Sequence, residues 1–184
     1  STVKKDKDIF WAYNNGVRLF AFDSLQELNK IETHATNSKV FCRLQVENKG
    51  ANWPLSKKFG CSIGMAKELM LEVKNKGLIP AGISFHVGSQ QTNIKRWEEA
   101  LESCFEVYSF LKLQNIKLEF INIGGGIPVD YQDYNFNLEL FSKELSNKIK
   151  NIFNNDLPKI MIEPGRYLVA ESGVIESEVV LVSK

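Results

Sequence analysis

The densest group of side chains suited to chemistry lies in the run Ile162-Glu163-Pro164-Gly165-Arg166-Tyr167, which follows a short apolar segment in the last third of the chain. A carboxylate, a rigid turn and a guanidinium occur there within six residues. The planar guanidinium of Arg166 suits bidentate contact with a phosphate, and the carboxylate of Glu163 suits a protonated nitrogen. We therefore predict that Glu163 and Arg166 hold the two ends of one small, doubly charged compound.

Two other short segments supply groups that the same compound would need. The glycine run Gly124-Gly125-Gly126 lacks side chains, so its backbone amides can approach an anion closely. In His86-Val87-Gly88-Ser89, the flat histidine ring can stack on an aromatic ring and the serine can donate to a phosphate. Arg43 ends a further apolar segment. All these residues lie near or just after the ends of predicted strands, and ligands of β/α folds bind at the carboxyl ends of parallel strands.

Each of these residues also has a plain structural interpretation, and the residues alone leave both open. Arg166 could form a surface salt bridge, and Glu163 could be a structural or helix-capping carboxylate. A glycine run after a strand is also an ordinary turn. A histidine at a strand end, such as His86, is more often a satisfied structural residue than a catalyst. Their shared placement at strand ends is what favours a site.

Apolar segments that alternate between strand-like and helix-like spacing position these groups. Short β-rich runs occur at residues 17–22, 40–46, 81–87, 118–123 and 159–162. Helical spacing marks residues 4–15, 25–35, 62–76, 93–114 and 138–152, with a long polar loop at 47–60. The alternation predicts an α/β fold with one parallel sheet. Five strands are fewer than the eight of a closed (β/α)8 TIM barrel, so we expect a partial barrel cut from a larger fold.

Composition excludes several classes of protein. The chain has 184 residues, of which 43% are hydrophobic and 24% charged, with a net charge of +1, as expected for a soluble globular domain. Near-neutral charge argues against nucleic-acid binding, and no apolar stretch approaches the ~20 residues of a membrane span. Three scattered cysteines fit a reducing, cytoplasmic setting and argue against disulfides or a metal site.

Three ordered motifs carry a resemblance to a known family. Residues 84–92 (Ser-Phe-His-Val-Gly-Ser-Gln-Gln-Thr), 122–128 (Asn-Ile-Gly-Gly-Gly-Ile-Pro) and 163–167 (Glu-Pro-Gly-Arg-Tyr) resemble the ornithine/diaminopimelate/arginine decarboxylases. These are pyridoxal-phosphate enzymes with an alanine-racemase-like barrel. The resemblance covers essentially the whole chain. The insert at residues 47–60 resembles the bacterial ornithine or lysine/ornithine decarboxylases in particular, and the histidine motif ranks diaminopimelate decarboxylases lower.

The resemblance implies pyridoxal 5′-phosphate as cofactor and gives each candidate residue a role. His86 would stack on the cofactor ring, Glu163 would pair with its pyridine nitrogen, and Arg43 would lie near its hydroxyl. The phosphate would be held by Ser89, Gly124, Gly125, Gly126, Gly165 and Arg166, with Pro164 in the same turn. The strands would be barrel strands four to eight, in residues 1–173, and residues 174–184 would be a strand leading to a carboxy-terminal β domain.

The resemblance also implies an activity. The expected reaction is the decarboxylation of a basic amino acid, first of all ornithine to putrescine, in a cytoplasmic homodimer. Lysine, diaminopimelate and carboxynorspermidine are the competing substrates. Two further classes of protein stay open, a non-catalytic, decarboxylase-like regulator and a cofactor-independent, phosphate-binding barrel enzyme. The family's Schiff-base lysine and product-protonating cysteine have no counterpart here, so we expect no catalytic residue in this chain and no activity from it alone.

Overall fold

The computed structural model describes residues 1–53, 58–131 and 135–183. Numbered in chain order, the strands are β1 (Leu19–Phe22), β2 (Lys39–Arg43), β3 (Ala51–Trp53), β4 (Ile79–Ser84), β5 (Ser89–Gln91), β6 (Phe120–Asn122) and β7 (Lys159–Met161). Five of them form a parallel sheet in the order β1-β2-β4-β6-β7. These five strands have the same order in the sheet as along the chain, which confirms the predicted α/β fold.

Helices precede, connect and follow the parallel strands. They are α1 (Asp6–Asn14), α2 (Leu25–His34), α3 (Ile63–Asn75), α4 (Lys95–Leu113), α5 (Leu138–Phe153) and α6 (Gly165–Val169), with 3₁₀ turns at 154–156 and 170–172. The N-cap residues of α2, α3 and α5 are Ser24, Ser62 and Asn137. Each of their side chains accepts a hydrogen bond from the backbone N–H three residues further along the chain. Among the described helices, none combines the length and the apolar character needed to cross a bilayer.

The core lies between the sheet and the helices around it, and it includes Leu28 and Ile31 of α2 as well as residues of α3, α4 and α5. The apolar residues spaced along α4 turn inward together, as predicted, so that Trp97, Leu101, Cys104, Tyr108 and Leu111 are all buried. Phe153 at the end of α5 is 1% exposed, and its ring packs edge-on against those of Phe105 and Tyr108 at 5.3 and 5.7 Å. The three cysteines form no disulfide and are buried in this core, where they pack as small apolar residues.

Two parallel strands end three residues earlier than the sequence predicts. β2 ends at Arg43 rather than near residue 46, because the chain then turns to bridge Leu44 with Cys61. β4 ends at Ser84 rather than at residue 87. His86 therefore lies in the loop beyond the strand, where Phe85 still donates its N–H to the carbonyl of Asn122.

The expectation of a loop over residues 47–60 is wrong in part. Ala51–Trp53 forms β3, which pairs antiparallel with β5 in the loop that carries Ser89. The rest of the family-like insert at 54–57 lies outside the described residues. The pairing of β3 with β5 therefore holds the segment after His86 in place.

Residues 173–183 form no helix or strand, whereas residues 174–184 are expected to form a strand. Side chains there are almost fully exposed, with Val174 at 96% and Val180 at 92%. This apolar segment pairs with no strand among the described residues, and high β-propensity alone does not produce a strand. That this segment leads into a further β domain stays a prediction.

Candidate cofactor site

The strand ends meet at one edge of the sheet, and a cleft of about 80 Å³ opens there. Arg43 ends β2, Ser84 ends β4 and Asn122 ends β6, and all three line the cleft. His86 and Glu163, each two residues beyond a strand, line it too. The structure thus brings three of the predicted residues, Arg43, His86 and Glu163, to one place.

Glu163 is held by the strand next to its own. Its Oε1 accepts a hydrogen bond from Nδ2 of Asn122 at 2.8 Å, and its backbone N–H donates to the carbonyl of Gly124 at 2.8 Å. Asn122 is 1% exposed, and sequence reasoning assigned it no role. The signal was its position, because a polar residue at the end of a buried apolar strand requires a partner.

The glycine run is required by the packing of neighbouring loops. Gly124 and Gly126 have φ of +68° and +94°, a region that favours glycine. A Cβ at Gly125 would collide with the carbonyl of Glu163, and one at Gly126 with the carbonyl of Gly88. The N–H groups of Gly125 and Gly126 donate to no residue that the structure describes, so both can serve an anion. The N–H of Gly124 cannot, because Asn122 Oδ1 already accepts it at 2.9 Å.

His86 presents a neutral ring to the cleft. Its Nδ1 accepts the N–H of Gly88 at 3.0 Å, which requires that nitrogen to be unprotonated. Burial and the nearby charge of Arg43 lower the pKa of His86, against an opposing effect of Glu163. Nε2 lies on the side of Gly125, 3.3 Å from where a Cβ of that residue would be. The edge of the ring that carries Nε2 therefore lies beside the glycine run.

A second cluster forms around Arg166. Its Nε donates to Ser89 Oγ at 2.9 Å and its Nη1 to Tyr131 Oη at 3.0 Å. Both partners are neutral, and the guanidinium forms no ion pair with any residue in the described ranges. Its positive charge is thus available to an anion. Tyr131 is a further residue that the sequence analysis missed, because nothing in its local pattern indicates a partner 35 positions away.

Arg43 has a different environment from Arg166. Burial lowers the pKa of its guanidinium, and the negative charges of Glu163 and Asp23 oppose that shift. Its guanidinium carbon lies 5.2 Å from the ring centroid of Phe59. Arg43 therefore belongs to the Glu163 side of the site, and Ser89 to the Arg166 side.

The two clusters are built from the same two chain segments. His86 and Ser89 stand three residues apart in one loop, and Glu163 and Arg166 three apart in another. The glycine run packs against both, with Gly125 beside Glu163 and His86 and Gly126 beside Gly88. Pro164 and Gly165 span the second pair, and Gly165 begins α6, where the sequence predicts only a turn. Within the described residues, no group of His, Cys, Asp or Glu side chains converges as metal ligands would.

Comparison with known proteins decides the family. Residues 1–170 match the profile described as "Pyridoxal-dependent decarboxylase, pyridoxal binding domain". The chain belongs to this decarboxylase family. Lysine/ornithine decarboxylase of Selenomonas ruminantium is 31% identical over 167 residues, which cover 90% of this chain and 42% of that protein. Diaminopimelate decarboxylase of Staphylococcus aureus is 35% identical over 193 residues, covering 96% of this chain and 45% of its own length.

Solved structures of pyridoxal-dependent decarboxylases share the fold. A mutant of SrLDC in complex with PLP superimposes with a TM-score of 0.84 at 31% identity, covering 91% of this chain and 43% of that one. Lysine/ornithine decarboxylase from Vibrio vulnificus, complexed with putrescine, gives 0.76 at 31% identity, covering 91% and 43%. The chain spans less than half the length of the relatives it matches. The predicted barrel fold and pyridoxal phosphate as cofactor are confirmed.

The residues present fit this cofactor. Pyridoxal phosphate has an anionic end, and the cluster around Arg166 offers an unpaired guanidinium, a hydroxyl and the free amides of Gly125 and Gly126. It also has a flat ring with a nitrogen, and the cleft offers the neutral ring of His86 and the carboxylate of Glu163.

Proposed function

We propose that the intact protein is a pyridoxal-phosphate-dependent decarboxylase of a basic amino acid, to which this chain contributes the cofactor-binding barrel. The observation that carries the proposal is the pairing of two anchors in one turn. Glu163 stands at the cleft with Asn122, and three residues later Arg166 reaches Ser89 with its charge uncompensated. A compound with a basic ring nitrogen and a phosphate satisfies both anchors at once.

The candidate residues then take separate roles. Arg166, Ser89 and the amides of Gly125 and Gly126 bind the phosphate. His86 orients the ring by stacking, and Arg43 lies on the side of the ring hydroxyl. Glu163 holds a proton on the ring nitrogen by accepting a hydrogen bond from it. When bound, pyridoxal phosphate supplies an electron sink for the electron pair that decarboxylation leaves behind.

Ornithine is the substrate that we propose first, because the insert at residues 47–60 resembles that of bacterial ornithine and lysine/ornithine decarboxylases. Lysine and diaminopimelate stay open, since relatives acting on ornithine, lysine and diaminopimelate have similar identity, at 29 to 35%. The preference against diaminopimelate gains no support from these values. The lysine and cysteine that complete the family's active site would come from outside this chain, and a second copy would complete a homodimer.

The proposal predicts that the two anchors fail in different ways. In the intact protein, Arg166→Ala removes a charge-assisted bond worth about 1.5–3 kcal/mol, so pyridoxal phosphate should dissociate about 10- to 150-fold more readily. Glu163→Ala should retain cofactor but lose most of its turnover, because the ring nitrogen loses its acceptor. Cofactor absorbance after dialysis measures the first effect, and carbon dioxide release measures the second.

A matched control is Arg18→Ala. The guanidinium carbon of Arg18 lies 3.9 Å from the ring centroid of Tyr13, and neither residue belongs to the two clusters of the candidate site. It should leave both cofactor affinity and turnover unchanged. Amine products formed from ornithine, lysine and diaminopimelate identify the substrate in the same assay. Normal affinity and rate in both anchor variants would contradict the assigned roles.

A further inference from the structure

Asn122 joins the glycine run to the carboxylate at the cleft. It ends β6, is 1% exposed and uses both ends of its amide. Oδ1 accepts the N–H of Gly124 at 2.9 Å, and Nδ2 donates to Oε1 of Glu163 at 2.8 Å. No charged residue other than Glu163 takes part in these bonds.

The orientation of the amide follows from its neighbours. The N–H of Gly124 is a donor and needs an acceptor, so the amide oxygen must face it. A carboxylate oxygen needs a donor, so the amide nitrogen must face Glu163. In the reversed orientation the amide NH₂ would face the N–H of Gly124, and the amide oxygen would face the carboxylate of Glu163. Both contacts therefore select the same orientation.

A third hydrogen bond closes the arrangement into a ring. The backbone N–H of Glu163 donates to the carbonyl of Gly124 at 2.8 Å. Residue 124 thus fixes the backbone of Glu163, and Asn122 fixes the end of its side chain. The carboxylate would otherwise rotate freely, because the residue as a whole is exposed to solvent in this chain.

We propose that Asn122 is a positioning residue for Glu163. By donating to Oε1 it leaves the other carboxylate oxygen, Oε2, to accept the N–H of the cofactor ring. The amide has no proton to lose near neutral pH, so it holds the carboxylate without competing for the ring proton. The inference rests on the proposed function, in which Glu163 faces the ring nitrogen.

Two substitutions separate positioning from fold maintenance. Asn122→Ser removes the donor to Glu163, but its short hydroxyl can still accept the N–H of Gly124, as in the turns that serine forms with the N–H two residues on. Asn122→Leu removes both bonds. Both variants should lower kcat of the intact holoenzyme about 10- to 100-fold with KM and cofactor content changed less than about 3-fold. Only Asn122→Leu should also lower the melting temperature.

A double-mutant cycle tests whether Asn122 acts through Glu163. In a Glu163→Gln background, Asn122→Ser should lower kcat by less than about 3-fold, since the carboxylate to be positioned is gone. The matched control is Asn75→Ser, because Asn75 also donates to a carboxylate, that of Glu72 at 2.9 Å, but on the exposed surface of α3. It should change neither kcat nor the absorbance spectrum of the bound cofactor.

The outcomes distinguish this inference from the function on which it rests. Equal losses from Asn122→Ser in both backgrounds, or an unchanged kcat, would overturn the positioning role while leaving Glu163 in place. Full activity in Glu163→Gln itself would overturn the role of Glu163, and the positioning role with it. If Asn122→Ser did not fold, Asn122→Leu would serve as the test instead. An activity of Asn122→Leu that was lost only as the protein melted, and was normal well below its melting temperature, would likewise overturn the inference.

Discussion

Side chains at the strand ends work in pairs, so that one residue places the other. Asn122 holds Glu163, the N–H of Gly88 holds His86, and Ser89 with Tyr131 holds Arg166. Each supporting partner is neutral, so the charge of Glu163 or Arg166 is oriented without being cancelled. Such preorganisation favours the binding of a charged ligand, because the side chains lose little further conformational freedom when it binds.

His86 should make stability depend on pH. Its pKa is lowered by burial and by Arg43, so the unfolded chain takes up a proton near pH 6.5 while the folded chain stays neutral. The contribution to stability is therefore complete above that pH and is lost as pH falls through the lower folded pKa, by up to ~1.4 kcal/mol per pH unit. Denaturant unfolding of the cofactor-free protein between pH 7.5 and 5 would show it.

The variant His86→Gln should flatten this acid-side loss of stability. His34→Gln is the matched substitution, because it removes the other histidine of the chain from the end of α2. If both variants flattened the curve equally, or neither did, the assignment of the pH dependence to His86 would be wrong.

At the scale of elements, long periodic segments were predictable and short paired ones were not. The spacing from Trp97 to Leu111 predicts α4 and its buried face correctly, since the pattern repeats over several turns. Strand β3 has three residues, too few for any periodicity, and it exists because the loop after His86 offers a partner. Helix α6 has five residues and begins at Gly165, within a Pro-Gly pair that predicts only a turn.

The candidate site shows the same division. Residues with distinctive chemistry, such as Glu163 and Arg166, were found from the sequence because their types and positions restrict their use. Their partners Asn122 and Tyr131 were not found. Asn122 ends a buried strand, which indicates that it needs a partner but not which one, and Tyr131 is identified only by its contact with Arg166. For the glycine run, the sequence predicts that the backbone amides can approach an anion closely. The structure adds a second reason for glycine, because two neighbouring loops leave no room for a Cβ.

The close approach of these loops predicts the effect of Gly126→Ala. The new Cβ would collide with the carbonyl of Gly88, and φ of +94° is unfavourable for alanine. We expect a loss of about 1–3 kcal/mol in the free energy of unfolding, together with weaker cofactor binding as the amide of residue 126 shifts. Gly64→Ala in α3 is the matched control, because a Cβ there meets no atom within 4 Å. It should be neutral or stabilising, and a similar loss in both variants would contradict the packing argument.

At the scale of the whole molecule, the core and the site occupy different parts of the sheet. Helices α1 to α5 bury one continuous cluster with the strands, whereas the candidate residues lie at the strand ends and in the loops beyond them. The core therefore determines the stability of the sheet, and the residues at the strand ends determine which ligand the protein binds. A substitution far from the loops should therefore change stability without changing cofactor affinity.

Phe153→Ala tests this separation. Phe153 is 1% exposed and its ring contacts two other aromatic rings, so its removal leaves a cavity and should cost about 3–5 kcal/mol of unfolding free energy. Leu113→Ala at the end of α4 is the control, since that side chain is 81% exposed and should cost almost nothing. Below the melting temperature of the Phe153 variant, pyridoxal phosphate should bind both variants as it binds the unaltered protein. A cofactor affinity that fell with stability would instead show that the strand ends depend on the helical core for their geometry.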